Sequence, residues 1–435
     1  MVIENSYEYT QFIKSVTGKN VSAVAVSDDN RNHCVESDSI IISLMCDDKI
    51  YDIVYDHSES PSSGLDMSEL SCIKRFWVDD IKEFYHLTGF TNIYDVKLYA
   101  HLNRIEYNIS EIPYIFTHMY DMCYKSSRLN TIISLTKVLE HCHDRLNTMS
   151  DILNKIVVTK YFIRYNSAMK TLAELEHPGM RIINGSFNTV FKRGYGYSNY
   201  NMLTSTGRPS NSFRGVNFGA LNKKDGTRSN ITTRFEKGLL VEFDYDAYHL
   251  RLLGKIVNFD LPTDISLHQY FADEVYKTSY DDAKRLSWQI LYGNVKVTKK
   301  DNPFFYKIDK MADSLWRHFN TNKHFKSHIY RRPFVLASIP DANKNKVLNY
   351  FIQSYETERN IETINKVHEF LNSRSTRMIL YTYDSFLFDL DRTEGLRLVL
   401  GIKEILQAGL FPVKVKAGMN YGSMQDITER LNGFE

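Results

Sequence analysis

Two apolar runs in the second half of the chain each carry a carboxylate. The first covers residues 240–243 and leads to Asp244, and a helical pattern starts soon after it. The second covers residues 378–390 and carries Asp384 at its middle. Short apolar runs bounded by polar residues are typical of buried strands. We therefore expect both carboxylates on neighbouring strand ends, where such a pair can hold two magnesium ions side by side.

The N-terminal third mixes short strand-like and helical pieces. Residues 39–44 and 49–55 predict a hairpin, and residues 78–87 and 95–102 predict two helices. From about residue 126 to 176 the apolar spacing is helical throughout,. All five cysteines lie in the first third of the chain, which favours a separate N-terminal module.

A loop-rich stretch at residues 183–236 follows these helices. It is rich in Gly, Ser, Asn and Thr and gives few helix signals. Such a long irregular stretch is uncommon in a compact domain and is more often functional than a simple connection. After the Asp244 strand we expect a mostly helical insert at about 261–330, and residues 331–435 alternate helix and strand again.

The composition is that of an ordinary globular protein, with 43% hydrophobic and 24% charged residues in 435,. The length predicts about two to four domains. No apolar run approaches the ~20 residues of a membrane span, and the first residues lack the basic and apolar regions of a signal peptide. We therefore expect a cytoplasmic protein without a membrane partner. Five cysteines without a CxxC pair argue against a disulfide framework or a zinc ribbon,.

Basic residues are unevenly spread, although the net charge is only +2. Residues 284–332 contain twelve Lys or Arg against three Asp, and residues 190–235 contain eight Lys or Arg against one Asp. Both segments are interleaved with Asn, Ser and aromatic residues. A single basic stretch is usually a solvated surface, but two in one chain predict a polyanion partner.

Residues 281–293 read as a helix with two Asp in its first turn and Gly293 at its end,. Lys284, Trp288 and Tyr292 are spaced four apart and therefore form one stripe. The stripe offers a cation, a flat ring and a phenol, which suit a triphosphate, a sugar and a base. Core packing is the alternative reading of an aromatic stripe, and the nearby carboxylate pair favours the functional one.

The order and spacing of these segments resemble the A-family DNA polymerases of bacteria and phages, over about residues 183–430. The Asp244 segment, Asp-Tyr-Asp-Ala-Tyr-His-Leu-Arg, resembles the family's motif A. The helix that carries Lys284 and Tyr292 resembles motif B, and the Tyr-Asp-Ser around Asp384 resembles motif C. Each motif alone is weak, but their order and spacing together favour a compact, phage-type member of the family.

Further positions match family residues that contact DNA or nucleotide. Arg208 ends a Thr-Gly-Arg element whose Arg contacts the primer end, and Asn217 matches a following Asn that contacts DNA. Asn349 and Gln353 form the Asn-x-x-x-Gln element that touches primer and template. His268 lies near the position where the family places a His on the incoming triphosphate. The resemblance thus implies primer-template DNA and dNTPs as partners.

The resemblance implies an α+β fold shaped as a right hand, with palm, fingers and thumb behind an N-terminal degenerate 3′–5′ exonuclease-like α/β domain. It implies a monomer that adds deoxynucleotides to a primer 3′ end in DNA replication. The expected domains are the exonuclease-like domain at 1–125, the thumb at 126–182, the palm at 183–260 and 335–435, and the fingers at 261–334.

The resemblance also implies a role for each site residue. Asp244, Asp384 and the backbone of Tyr245 would hold two Mg²⁺, with Mn²⁺ as a possible substitute. Lys284 would neutralise the phosphates and donate a proton to the leaving pyrophosphate. The expected nucleotide-binding residues are Lys284, Trp288, Tyr292, His268 and His249.

Several positions depart from the family's pattern. His249 stands where the family has a Glu that acts as a gate against the ribose 2′-hydroxyl. Tyr280 replaces an Arg before motif B, and Tyr383 and Ser385 replace the His and Glu of motif C. Asp-Ser in motif C is also found in single-subunit phage RNA polymerases. An RNA polymerase of related fold and an inactive DNA-binding relative therefore stand as alternatives.

The N-terminal module only faintly resembles a proofreading exonuclease. The Asp-x-Glu that would anchor its metals is missing, and that region offers only Asp28 and Asp29. Asp79 or Asp121 would be the surviving ligands, although an isolated Asp is more often simply solvated. We therefore expect a degenerate, inactive exonuclease-like domain.

Overall fold

A computed structural model describes residues 1–27, 33–37, 40–55, 57, 59–60, 65–107, 134–183, 187, 191–212, 216–292 and 302–433. The chain forms two compact units, Met1–His177 and Pro178–Glu435. The predictions for Asp28, Asp29, Asp121 and Gly293 lie outside the described residues. Within the described residues, no helix is both long and apolar enough to cross a membrane.

The first unit is built on a five-stranded sheet with the order β3-β2-β1-β4-β5. The strands are β1 Asn20–Val26, β2 Ile40–Cys46, β3 Lys49–Tyr55, β4 Arg75–Val78 and β5 Ile93–Asp95. The three N-terminal strands are antiparallel, whereas β4 lies parallel to β1 and β5 parallel to β4. Residues 21–26 of β1 are all buried, as expected for a central strand covered on both faces.

The described residues of the first unit form the helices α1 Ser6–Val16, α2 Ile81–Thr88, α3 Val96–Asn103, α4 Leu135–Leu153 and α5 Lys160–Glu176. Helix α4 packs against β1 and β2, and α5 packs against α2. The boundary between the compact units lies at residue 177, and the boundary predicted near residue 125 does not divide them. A thumb role for residues 126–182 stays a prediction.

Among the described residues of the first unit, the predicted hairpin and helices are present, and one helix begins later than predicted. Residues 39 and 126–133 of the predicted segments lie outside the described residues. Strands β2 and β3 form the predicted hairpin, and α3 matches its predicted segment. The helix predicted from Val78 begins at Ile81, because Val78 still pairs in the sheet. The side chain of Asp80 then accepts hydrogen bonds from the backbone N–H groups of Lys82 and Glu83, which is an N-cap.

The second unit is centred on an antiparallel sheet with the order β14-β15-β11-β16-β17. These strands are β11 Gly238–Tyr245, β14 Arg377–Thr382, β15 Ser385–Asp391, β16 Val413–Gly418 and β17 Gln425–Asp426. Strand β11 lies between β15 and β16, so its apolar residues are buried on both faces. The first apolar run is thus confirmed as a strand that ends just after Asp244.

The second apolar run is two strands rather than one. Strands β14 and β15 pair antiparallel and are joined by Tyr383 and Asp384. Tyr383 has φ 63°, in the left-handed region that tight hairpin turns use,. Asp384 therefore lies in the turn where β14 ends and β15 begins, beside the end of β11, which confirms the expectation of neighbouring strand ends.

The predicted helical insert is present after β11 along the chain. Helix α6 Tyr248–Ile256 precedes it, and the insert itself contains α7 Leu267–Tyr270, a π-helical turn at Phe271–Tyr276, α8 Tyr280–Tyr292 and α9 Pro303–Asn322. A core of apolar residues joins these helices to the next one, α10 Lys344–Leu371. Buried residues occur around the whole circumference of α10, which indicates a central helix.

The rest of the second unit consists of short elements. The loop-rich segment carries only brief strands in its described part: β6 Met180–Ile182, β7 Tyr195–Gly196, β8 Tyr200–Asn201, β9 Ser210–Asn211 and β10 Ile231–Thr232. The C-terminal part adds β12 His324–Lys326, β13 Pro333–Val335, α11 Leu396–Gln407 and α12 Thr428–Asn432. The irregular character predicted for residues 183–236 is confirmed.

Candidate active site

Asp244 and Asp384 lie together at one edge of the central sheet. Asp244 pairs with Ser385 across β11 and β15, and the amide of Tyr245 donates a hydrogen bond to the carbonyl oxygen of Asp384 over 2.8 Å. Both aspartates line the same cavity. The structure therefore brings together the two carboxylates that the sequence singled out.

The two carboxylates resist ionisation in this position. Burial raises the pKa of Asp244 to about 6, and the charges of Asp384 and Glu242 add to the effect. The pKa of Asp384 is also raised, first by burial and then by the charge of Glu356. A cation between the carboxylates would relieve this repulsion, and carboxylate oxygens are ligands that Mg²⁺ prefers. The donor set therefore fits a divalent metal ion.

A third carboxylate of this strand end, Asp246, has a structural role. It is buried and accepts a 2.8 Å hydrogen bond from Arg251. It also accepts hydrogen bonds from the hydroxyl of Ser266 and the backbone N–H of Leu267. These contacts fix the start of α7, which carries His268 into the cavity wall.

Helix α8 presents its predicted stripe toward the cavity rather than into the core. Lys284 and Trp288 line the cavity, and the side chain of Trp288 is 44% exposed. The rings of Trp288 and Tyr292 stack with their centroids 5.2 Å apart. Core packing is therefore the wrong interpretation for the first two positions, although Tyr292 is mostly enclosed.

His268 is a buried, neutral side chain in the cavity wall. Burial lowers its pKa to about 4, against the attraction of Asp246. Its Nδ1 atom is buried without a hydrogen-bond partner among the described residues. Tyr280 packs edge-on against the His268 ring and lines the same cavity. A polar atom without a partner in a cavity wall is available for a ligand.

Arg208 and His249 converge on a carboxylate that the sequence reading missed. Glu356 of α10 has a side chain only 1% exposed, and its Oε2 lies 3.1 Å from Arg208 Nε and 3.3 Å from His249 Nε2. All three residues line the cavity. Arg208 also stacks on the ring of Tyr383, 3.7 Å from its centroid. The signal available in the sequence was the polar run of residues 356–360, which follows the apolar residues 350–352 on the same helix.

Three predicted DNA-contacting residues lie outside the cavity wall formed by the described residues. Asn217 directly precedes a short 3₁₀ helix. Asn349 and Gln353 lie one turn apart on α10, and Gln353 donates a 3.1 Å hydrogen bond to Asn349.

The first unit contains a buried charge cluster centred on Asp79. Arg145 of α4 donates hydrogen bonds to Asp79 and to Glu83, the latter over 3.0 Å. Burial raises the pKa of Asp79, and it raises the pKa of Glu83 to about 7 against the attraction of Arg145. Asp79 is thus not a solvated surface residue, and an arginine occupies the position beside it.

A second cluster of the first unit joins His33, His86 and Glu176, whose ligand atoms lie within 4.8 Å of one another. The set contains metal-ligand residue types. However, Lys82 lies 2.7 Å from Glu176 and His86 lies 2.9 Å from it. Burial alone would raise the pKa of Glu176, but Lys82 and His86 lower it to about 2. The cluster is therefore already neutralised by Lys82.

The fold is similar to that of a solved bacterial polymerase domain. This structure, described as the POL domain of Pol1 from M. smegmatis in complex with DNA primer-template and dNTP, matches with a TM-score of 0.65. The match covers 97% of this chain and 99% of that chain at 14% sequence identity. The chain therefore has a polymerase I-like fold. No protein-family model and no curated protein matches the sequence.

Proposed function

We propose that this chain is a template-directed DNA polymerase that extends a primer 3′ end with deoxynucleotides in DNA replication. The observation that carries the proposal is that Asp244, Asp384 and Lys284 line one cavity. Paired carboxylates and a cation are the groups that nucleotidyl transfer needs. The polymerase I-like fold supports the same reaction.

The central sheet would serve as the palm, and helices α7 to α9 as the fingers. Asp244 and Asp384, with the backbone of Tyr245, would hold two Mg²⁺, which supply charge stabilisation at the attacking and leaving oxygens when bound. Carboxylate and carbonyl oxygens suit Mg²⁺, and the same donors would also accept Mn²⁺. Residues 126–182 keep their proposed thumb role only if they contact duplex DNA.

The remaining cavity residues would bind the incoming nucleotide. Lys284 would neutralise the triphosphate and lie within reach of the leaving pyrophosphate as a proton donor. Trp288 offers an exposed ring beside the sugar or base, and His268 offers a free nitrogen toward the phosphates. Arg208 would orient the primer end, and the other DNA contacts would come from Asn217, Asn349 and Gln353.

The N-terminal unit would be an inactive exonuclease-like domain. Its best candidate metal ligand, Asp79, is buried and paired with Arg145. A guanidinium beside a carboxylate competes with a metal ion for the same oxygen atoms. The chain would therefore extend primers without degrading their 3′ ends.

The test is primer extension with a labelled DNA primer on a DNA template. Reactions contain Mg²⁺, Mn²⁺ or EDTA, and receive either dNTPs or NTPs. We expect template-directed extension with Mg²⁺ and dNTPs, none in EDTA, and an intact primer when nucleotides are omitted. Binding of primer-template without extension would favour the inactive relative, and extension with NTPs only would favour an RNA polymerase.

A further inference from the structure

Lys414 of β16 is a cation that reaches the candidate active site from the central sheet. It pairs with Asp244 across β11 and β16, and directly opposed residues of antiparallel strands place their side chains on the same face. The side chain of Lys414 is 42% exposed and lines the same cavity as Asp244 and Lys284. The cavity therefore holds a cation from the sheet as well as the one from α8.

The ammonium group of Lys414 lies at the end of the cavity that His268 and Tyr280 form. Its Nζ atom lies 5.9 Å from the centre of the Tyr280 ring, and that ring packs edge-on against His268. Burial lowers the pKa of His268, and the positive charges of Lys284 and Lys414 lower it further against the attraction of Asp246. Because charge effects weaken with distance, both ammonium groups lie near the same imidazole.

The ion pair of Lys414 with Asp246 does not explain why a lysine stands at this position. Its Nζ atom lies 3.9 Å from Asp246 Oδ1. That oxygen already accepts a hydrogen bond from Ser266, and Oδ2 accepts hydrogen bonds from Arg251 and from the backbone of Leu267. Arg251 thus supplies the positive charge that a buried carboxylate requires. Lys414 is therefore available to an anion in the cavity.

The groups at this end of the cavity suit a chain of phosphates. A triphosphate carries several negative charges, and one ammonium group neutralises only part of them. A lysine is a compact charge on a flexible stem, so it can follow phosphate oxygens without a fixed geometry. The Nδ1 atom of His268 is buried without a hydrogen-bond partner among the described residues. In the tautomer that carries its proton on Nδ1, the ring can donate to a phosphate oxygen.

We propose that Lys414 is a second cation for the triphosphate of the incoming nucleotide, which would bind between Lys284 of α8 and Lys414 of β16. This inference rests on the proposed polymerase function and adds to it a phosphate ligand from the sheet. The triphosphate would then connect the helical insert to the sheet that carries Asp244. The affinity for the nucleotide would depend on both elements, and the phosphates would stay beside the proposed metal ligands.

The experiment compares the wild type with Lys414→Gln and Lys414→Arg in two assays. Titration calorimetry in Mg²⁺ measures the Kd of inorganic tripolyphosphate, which has neither sugar nor base, and steady-state primer extension measures the KM for a dNTP. We expect Lys414→Gln to raise both constants about tenfold, the usual effect of losing a hydrogen bond to a charged group, with a smaller change in kcat. Lys414→Arg keeps the charge and should keep most of the affinity.

Lys277→Gln is the matched control for general charge attraction. Lys277 precedes α8 in the same insert, has a side chain 72% exposed and pairs with Glu274, and it does not line the cavity that the described residues form. We expect this control to keep the wild-type Kd and KM. Lys414→Gln should also bind labelled primer-template like the wild type in fluorescence anisotropy, because the proposed ligand is the nucleotide rather than the DNA backbone.

The outcomes separate this inference from the proposed function. Wild-type Kd and KM in folded Lys414→Gln would overturn the inference while the polymerase assignment stands, and so would an equal loss in Lys277→Gln or in Lys414→Arg. A loss confined to primer-template binding would assign Lys414 to DNA and overturn the inference as well. A wild-type protein that extends a primer with neither dNTPs nor NTPs would overturn the proposed function, and the tripolyphosphate titration would still show whether Lys414 binds phosphates. If Lys414→Gln fails to fold by thermal melting, Lys414→Met takes its place.

Discussion

The backbone amide of Tyr245 donates a hydrogen bond to the carbonyl oxygen of Asp384, with the two atoms 2.8 Å apart. This bond joins the end of β11 to the turn between β14 and β15. Helix α10 also holds the turn, because its Asn360 side chain donates a hydrogen bond to the carbonyl oxygen of Tyr383. The two candidate metal ligands are therefore fixed by backbone contacts rather than by their own side chains.

Because the backbone fixes both carboxylates, Asp244→Asn and Asp384→Asn should change the charge of the site and little else. We expect each variant to lose primer extension by about 10³-fold or more, since each removes a metal ligand. Binding of primer-template, measured by fluorescence anisotropy, should survive. The exposed Asp264, changed to Asn, is the control. Extension at the wild-type rate by either site variant would disprove the site assignment.

Magnesium should stabilise the wild-type protein against heat. A ligand that binds only the folded state at about 100 times its Kd adds about 2.7 kcal/mol. We expect differential scanning calorimetry to show a rise in Tm with Mg²⁺ for the wild type and a much smaller rise for Asp244→Asn. An equal rise in Tm in both proteins would show that Mg²⁺ binds at a site other than Asp244.

The metal-free protein should lose stability as pH rises through the range from about 4 to about 6. The pKa of Asp244 is raised to about 6 in the folded state from its ordinary 3.8, so the folded state holds the proton more tightly than the unfolded state. The loss should be about 2 kcal/mol, allowing for partial solvent screening. Urea titrations in EDTA should show this slope, and Asp244→Asn should flatten it. A slope that persists in Asp244→Asn would assign it to another group.

Lys284→Ala should raise the KM for the incoming nucleotide by about tenfold, because an exposed cation that binds a phosphate is worth roughly 1.4 kcal/mol. Steady-state extension at varied dNTP concentration measures the effect. Arg285→Ala is the neighbouring control. Arg285 lies on the same helix, pairs with Asp282 at the surface and does not line the cavity. Equal effects of the two changes would indicate general charge attraction rather than a phosphate site.

The elements that carried Asp244 and Lys284 could be predicted from the sequence because their patterns are local. Strand β11 is a short, mostly apolar and buried run that leads to Asp244, and α8 has acidic residues in its first turn. The turn at Asp384 could not be predicted, because Tyr383 is not a residue type that marks a hairpin. A left-handed tyrosine is imposed by the pairing of β14 with β15 and by the contact with α10.

The place of Glu356 in the cavity wall and the unit boundary at residue 177 could not be predicted from the sequence, because both depend on tertiary structure. Helix α10 is buried around its whole circumference, so its sequence lacks the apolar and polar faces from which the direction of a side chain is inferred,. The helices at residues 135–176 show an amphipathic pattern that fits any apolar partner. Only the packing of α4 on β1 and β2 assigns them to the N-terminal unit.

Arg145→Ala should destabilise the N-terminal unit by about 3–5 kcal/mol, the usual effect of breaking a buried ion pair by removing one partner. The change leaves the buried Asp79 and the partly buried Glu83 without their cation, so the pKa values of both, already raised, should rise further. Protonation relieves the unpaired charges, and the loss should therefore be smaller at pH 5 than at pH 8. Urea unfolding at both pH values measures this loss in the free energy of unfolding.

The double variant Arg145→Ala/Asp79→Asn is the matched control for this cluster. It removes the cation together with one of its two carboxylates, so we expect it to be more stable than Arg145→Ala alone. Neither protein should degrade a primer 3′ end in Mg²⁺, because the Asp-x-Glu that would anchor the nuclease metals is missing from the sequence. The appearance of 3′ degradation when Arg145 is removed would show that Asp79 still supports nuclease chemistry and that the arginine suppresses it.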